Sequence, residues 1–275
     1  MFITRRLTSI MTLATLAGGL GASAVQAAPL YGTDYGIPGN LYGIDTETGS
    51  ASVIANIGTN IGDLTSDTRA GSATVWGVDL VANTLVTFDP ATGSATGSLS
   101  ILDAEITSIA FDVTTGTLFG NDTLTYGRSS NLYTIDPVTG GTSLVGSIGY
   151  SSVFGLGFDQ AGNLFGIDDS SKDFLQIDTL TAASTLITTG LFNGAFDLAS
   201  DPDTGIMYVS EAFAHKLHTI DLSTGATTYV GPYGNGSNIA GLAFGVAAVP
   251  VPAALPLMVL GLGALGMARR RRRAA

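Results

Sequence analysis

One short phrase returns five times in this chain, and its spacing limits the fold more than any other feature. Leu41 to Gly49 reads Leu-Tyr-Gly-Ile-Asp-Thr-Glu-Thr-Gly, and Leu85 to Gly93 reads Leu-Val-Thr-Phe-Asp-Pro-Ala-Thr-Gly. Leu132 to Gly140 and Leu217 to Gly225 follow the same form, while Leu175 to Ala182 ends in alanine. The aspartates Asp45, Asp89, Asp136, Asp178 and Asp221 lie 44, 47, 42 and 43 residues apart. A steady period in the forties built from short strands is the mark of propeller blades. Each phrase also has a local reading. Apolar residues alternate before the aspartate, as in a strand. The aspartate can accept the backbone N–H two residues on, and the glycine takes the left-handed position that closes the hairpin.

A second phrase interleaves with the first. Ser108 to Gly116 leads into Leu118 to Asp122, Gly155 to Asp159 into Leu164 to Asp168, and Asp197 to Gly205 into Met207 to Glu211. A weaker version lies around Asp63 to Asp79. Two hairpins per period make four antiparallel strands, which is one blade. At the start, Leu30 to Asp34 looks like a second strand without its first. At the end, Gly241 to Phe244 looks like a first strand without its second. Paired, they complete a fifth blade. The expected fold class is therefore all-β, a five-bladed β-propeller with four antiparallel strands per blade, closed by N- and C-terminal strands. The expected organisation is a signal peptide over 1–27, the propeller over 28–246 and a C-terminal segment over 247–275. The body resembles bacterial surface propellers built from Leu-Tyr-x-Ile-Asp-Pro-x-Thr-Gly units, over roughly Leu30 to Gly245. That resemblance implies a fold and leaves function open.

Charge narrows the function classes. All 22 acidic residues lie between Asp34 and Asp221, against Arg69, Arg128, Lys172 and Lys216, so the body carries −18. Such a surface argues against nucleic acid, whose phosphates need cationic partners. The chain has no cysteine, which excludes disulfides, thiolate zinc sites and iron–sulfur clusters.

The body offers few candidates for chemistry. His215 and His218 stand three apart at the entry to a strand, where such residues face opposite sides. Asp112, Asp159 and Asp201 end the expected innermost strands. Asp168, Asp169 and Asp173 form one acidic cluster, and Asp201 with Asp203 another. Oxygen ligands of this kind suit calcium, the one cofactor with any support, although these carboxylates recur in register with the turns. A residue that repeats in every blade is better explained by the blade, since catalytic groups break a repeat. Tyr31, Tyr42, Trp76, Phe119, Tyr133, Phe165 and Tyr208 also follow the repeat and read as inter-blade core. No catalytic residue and no metal ligand is assigned. The string Gly261, Gly263, Gly266 matches a dinucleotide fingerprint but follows no strand and lies in an apolar segment.

The ends carry delivery signals. Arg5 and Arg6, an apolar run from Ile10 to Leu20 and a small-residue site at Ala27 form a secretory signal, with Ala28 as the first mature residue. At the other end come Val249, Pro250, Val251, Pro252 and Ala253, then an apolar stretch from Ala254 to Ala268. Arg269, Arg270, Arg271, Arg272 and Arg273 follow. Counted from Val249 the stretch has 20 residues. About 20 apolar residues span a bilayer as one transmembrane helix, and the arginines mark its cytoplasmic side.

This order of proline motif, apolar helix and arginine cluster resembles the PEP-CTERM sorting signals of Gram-negative bacteria. Residues 249–253 are most similar to the Val-Pro-Leu-Pro-Ala variant, with Val251 in the variable place and without the Pro-Glu-Pro glutamate. The resemblance implies recognition by an exosortase-type processing enzyme that cuts near Pro250 to Ala253. The body would wait in the periplasm, held to the inner membrane, and then pass to the cell surface or beyond, in bacteria that make exopolysaccharide. The expected function is a non-catalytic binding or structural module, with surface polysaccharide as a partner. The competing reading is a secreted propeller enzyme, a glycan hydrolase or lyase or a calcium-dependent lactonase. Replacing Pro250 and Pro252 together with alanine is expected to leave a longer, membrane-held form. Immunoblots of membrane and surface fractions check this, and unchanged processing would sink the sorting-motif reading.

Overall fold

The computed structural model describes residues 27–69, 74–123, 129–234 and 236–246. The sorting motif at Val249–Ala253, the arginines at 269–273 and the signal segment before Ala27 lie outside the described residues. The described chain folds into twenty strands arranged as five four-stranded antiparallel sheets. Blade one contains β1 (Leu30–Asp34), β2 (Asn40–Ile44) and β3 (Ala51–Asn56). Blade two contains β4 (Ile61–Asp67), β5 (Thr74–Asp79), β6 (Thr84–Asp89) and β7 (Ser94–Ser100). Blade three contains β8 (Ser108–Asp112), β9 (Thr117–Asn121), β10 (Asn131–Ile135) and β11 (Thr142–Ser147). Blade four contains β12 (Val153–Phe158), β13 (Leu164–Asp168), β14 (Asp173–Ile177) and β15 (Ser184–Thr189). Blade five contains β16 (Ala195–Ser200), β17 (Met207–Glu211), β18 (Lys216–Ile220) and β19 (Thr227–Pro232). The last strand, β20 (Ile239–Phe244), pairs antiparallel with β1 and becomes the innermost strand of blade one, with Leu30 opposite Phe244 and Gly32 opposite Leu242. Closure by the two ends is thus observed as the strand count requires.

The innermost strands form a closed ring. β20 packs on β4, β4 on β8, β8 on β12, β12 on β16, and β16 returns to β20. Each blade is apolar on both faces, so its inner strands read as continuous buried runs rather than alternations. β8 and β13 are buried at every residue. Five apolar clusters fill the five gaps between blades. Leu30, Tyr42 and Phe244 meet Tyr208, Leu217 and Tyr233 between blades one and five. Trp76 meets Phe111 between blades two and three, with ring centroids 5.0 Å apart. Tyr31 and Tyr133 are only half-buried, while the other repeat aromatics are buried.

The recurrent turns join neighbouring blades. In each, the residue four after the aspartate returns its N–H to the aspartate carbonyl, at 2.8 Å for Gly49, Gly93, Gly140 and Ala182 and 2.7 Å for Gly225. All five have positive φ, from +62° at Ala182 to +75° at Gly140. Their outer side touches the outer strand of the adjacent blade. A Cβ on Gly140 would lie 2.0 Å from the Ser100 carbonyl oxygen. At blade four the alanine is accommodated because the neighbouring strand carries Gly146 opposite it.

This difference is measurable. Gly140→Ala forces both a backbone clash and a strained φ, and is expected to cost about 2–4 kcal/mol. Ala182→Gly relieves about 1 kcal/mol of left-handed strain but loses a buried methyl worth about 0.8 kcal/mol, so it should be nearly neutral. Urea midpoints of the two variants check the contrast.

Candidate functional site

The repeat aspartates are occupied by their own turns. The Asp45 Oδ1 accepts the N–H groups of Glu47 and Thr48, each at 2.9 Å. Asp178 does the same for Leu180 and Thr181, and Asp221 for Ser223 and Thr224. Asp89 and Asp136 accept from Ala91 and Val138. Hydrogen bonds to the ionised form hold the Asp45, Asp136, Asp178 and Asp221 carboxyls down. Backbone donation does so first at Asp45, Asp136 and Asp178, and the hydroxyls of Ser223 and Thr224 lower Asp221 to about 2. The inner hairpins use Asp112, Asp159 and Asp201 alike, bonding Thr114, Ala161 and Asp203 two residues on. A further recurring device was not read from the sequence. Asp34 and Asp122 accept the N–H groups of Asn40 and Asn131, at 2.6 and 2.7 Å, and the hydroxyls of Tyr42 and Tyr133.

The first acidic cluster is divided among several partners, although Asp168 and Asp173 stand opposite each other on β13 and β14. Asp168 accepts from Ser152 and Ser171, whereas Asp169 pairs with Lys172 at 2.7 Å. Asp173 faces Tyr150. Among the described residues, no three His, Cys, Asp or Glu side chains are grouped to hold a metal ion. The histidines separate as expected. His215 sits in a left-handed turn, its Nδ1 3.0 Å from the Ser237 carbonyl. His218 lies in β18, 2.9 Å from Glu211 and against Phe192 and Tyr229. Of the two residues at the expected signal cut, Ala27 is exposed and Ala28 buried.

Only at the axis does the repeat break in a way that gathers carboxyls. Aligned strand by strand, the residue four before the hairpin aspartate, or before Gly245 in β20, reads Asp63, Ser108, Gly155, Asp197 and Gly241. At the two glycines neighbouring inner strands approach so closely that a side chain does not fit. A Cβ on Gly155 would lie 2.8 Å from the Asp197 Cα, and one on Gly241 would lie 2.9 Å from the Leu64 nitrogen. Asp63 and Asp197 are 1% and 0% exposed and hydrogen-bond each other. Asp63 also accepts from Leu64 N–H, Ile109 N–H and the Ser108 hydroxyl. Asp197 accepts from the N–H groups of Leu198 and Leu242. Burial, with mutual repulsion added at Asp197, pushes both carboxyls up. Two such groups in contact hold one proton between them.

Beside this pair, one end of the ring opens into a cavity of about 360 Å³ lined by residues of all five inner strands, among them Ser66, Phe111, Phe158, Ser200 and Phe244. Arg69 stands at its rim, bidentate to Asp67 at 2.8 and 2.9 Å, with its guanidinium 4.8 Å from the Phe111 ring centre. The Ser200 hydroxyl, on the lining, is buried without a hydrogen-bond partner among the described residues. Neither Asp63 nor Asp197 lines the cavity. The pair is therefore sealed from any ligand there. The sequence did contain its signal: two aspartates inside strands, out of register with every turn.

The pair makes stability depend on pH in a defined direction. Its folded pKa values lie above the ordinary value of about 3.9 for an unfolded aspartate. The native chain therefore keeps a proton that the unfolded chain has released, and this contribution falls as pH rises from about 4 through the folded range. Asp197→Asn keeps a neutral hydrogen-bonding group and removes that titration. Relative to wild type, the variant should gain stability between pH about 5 and about 8. Urea unfolding at the two pH values reads it, and parallel losses in both proteins would place the titration elsewhere.

No protein-family model matches this sequence, and no curated protein matches it. Among solved structures, a chain from the crystal structure of a nidogen/laminin complex aligns with a TM-score of 0.56 at 12% identity, covering 79% of this chain and 98% of that one. At that identity the likeness shows the propeller fold alone.

Proposed function

We propose that the chain is an exported propeller, delivered to the cell surface or extracellular matrix, that serves there as a non-catalytic binding or structural module. One observation carries the non-catalytic part. The recurrent carboxylates are engaged within their own turns, and the two that meet at the axis are closed into the core. A hydrolase of glycosidic bonds needs two carboxyls flanking a substrate, one as acid and one as nucleophile or base. Asp63 and Asp197 meet each other instead. The delivery part rests on the signal segment before Ala28 and on the Val249–Ala253 motif with its apolar stretch and Arg269–Arg273. In this reading the body is held in the periplasm by one C-terminal helix in the inner membrane. An exosortase-type enzyme then releases or transfers it. Surface polysaccharide is the partner. The nidogen/laminin neighbour lends only a fold that occurs in a binding complex.

The test is a panel of polysaccharides and lactones, with and without calcium, presented to the purified full-length protein. Retention of polysaccharide without release of reducing ends or hydroxy acids is the expected result. Turnover abolished by a single carboxylate substitution would establish the secreted-enzyme reading in its place.

A further inference from the structure

The residues just before β1 lie against the ring. Ala28 is 5% exposed and packs among Ala199, Tyr208 and Phe244, in the gap between blades five and one. The next residue extends the closing pair, since Gly245 N–H donates to the Pro29 carbonyl at 2.8 Å. The Ala28 backbone N–H donates to Asp203 Oδ2 at 3.0 Å.

Asp203 is itself out of pattern. It stands two residues after Asp201 in the inner hairpin of blade five, where blades two, three and four carry Arg69, Thr114 and Ala161. The turn does not need its side chain, because Asp201 already accepts the Asp203 N–H at 2.8 Å and the Thr204 hydroxyl at 2.7 Å. Among the described residues, the Ala28 nitrogen is the one hydrogen-bond donor to this carboxylate. The acid is thus placed where the ring meets the start of the propeller and contributes nothing to its own hairpin.

We propose that Asp203 is the receiving site for the α-ammonium group that export processing creates at Ala28. The inference rests on the exported reading with a cut after Ala27. In that cut, water adds across the Ala27–Ala28 peptide bond. Ala27 leaves with the signal fragment as a carboxylate, and Ala28 keeps the nitrogen as an amine. The amine takes up a proton at neutral pH, since a free α-amine has a pKa of about 7.7–8.0. The nitrogen that already donates to Asp203 then carries a positive charge, and a neutral amide bond becomes a charge-assisted one. The position also orders the events. The scissile bond joins an exposed residue to a buried one, so a protease meets extended backbone there only before β1 docks. Processing therefore comes first, and the new terminus afterwards fastens the blade that closes the ring.

The experiment uses full-length protein exported from a Gram-negative host. Mass spectrometry first reads the mature N-terminus, expected at Ala28. The α-amine is then acylated with an N-hydroxysuccinimide ester at neutral pH, in wild type and in Asp203→Asn, with Lys172 and Lys216 as internal references. An ion pair withdraws the reactive neutral amine, so the Ala28 amine of the variant should label about threefold faster, with the lysines unchanged. Salt at about 1 M should bring wild type toward the variant. A terminus other than Ala28 overturns the processing reading and the proposal with it. A terminus at Ala28 with equal labelling in both proteins overturns the Asp203 assignment alone. Should the variant misfold, faster labelling of both lysines reveals it, and the wild-type salt series then decides: labelling indifferent to salt rejects the ion pair.

Discussion

Crowding at the axis is the constraint on which the rest of the structure depends. The five inner strands close on one another as a ring, and the aligned positions beside the axis carry only Asp, Ser or Gly. Two buried carboxyls would oppose folding if both were charged. Sharing one proton removes one charge, and the remaining acceptor capacity is filled by backbone N–H groups and the Ser108 hydroxyl. These bonds run between blades. Asp63 of blade two reaches Ser108 and Ile109 of blade three, Asp197 of blade five reaches Leu242 of blade one, and the two aspartates reach each other. A polar network placed at the axis thus ties four of the five blades. Away from the axis, the widening gaps are filled by the five apolar clusters.

The perimeter solves a different problem, that of a body with a charge of −18. Its carboxylates do not stand free against one another. At Asp45, Asp136, Asp178 and Asp221 the charge is met by N–H or hydroxyl donors of the next three residues, which favours the ionised form. The same turns carry the left-handed residue that abuts the next blade, so charge, hairpin closure and blade contact share one five-residue unit.

That sharing explains what could be read from the sequence. The turn unit imposes Asp, Thr and Gly at fixed offsets, and a fixed offset repeated five times reveals strands, blade number and even the blade split between the two ends. Contacts between blades leave no such mark. Gly146 compensates for Ala182, but the two residues belong to different blades and neither offset is constant. The Asp63–Asp197 pair spans the ring, so each aspartate by itself looks like a polar residue in a strand. Tyr233, fully buried with its hydroxyl donated to Ser210, lies after the last repeat phrase and shares no pattern with it. The acidic clusters show the converse. Asp168, Asp169 and Asp173 are neighbours in sequence, yet only Asp168 and Asp173 stand opposite each other, across β13 and β14, while Asp169 turns to Lys172.

Closure through blade one has a consequence for how such a chain can carry added segments. The first and last described strands are paired, and Pro29 and Gly245 are joined by a hydrogen bond. Both ends of the propeller therefore leave from the same blade. Any segment before Ala28 or after Gly245 is connected at the closing edge and interrupts no strand pair elsewhere. The ring needs residues on both sides of the closure, so truncation inside β1 or β20 opens it, whereas removal of the flanks leaves every blade its four strands. The flanks and the propeller can thus be altered separately, and among the described residues the start of the propeller is fastened to blade five by the Ala28 N–H at Asp203.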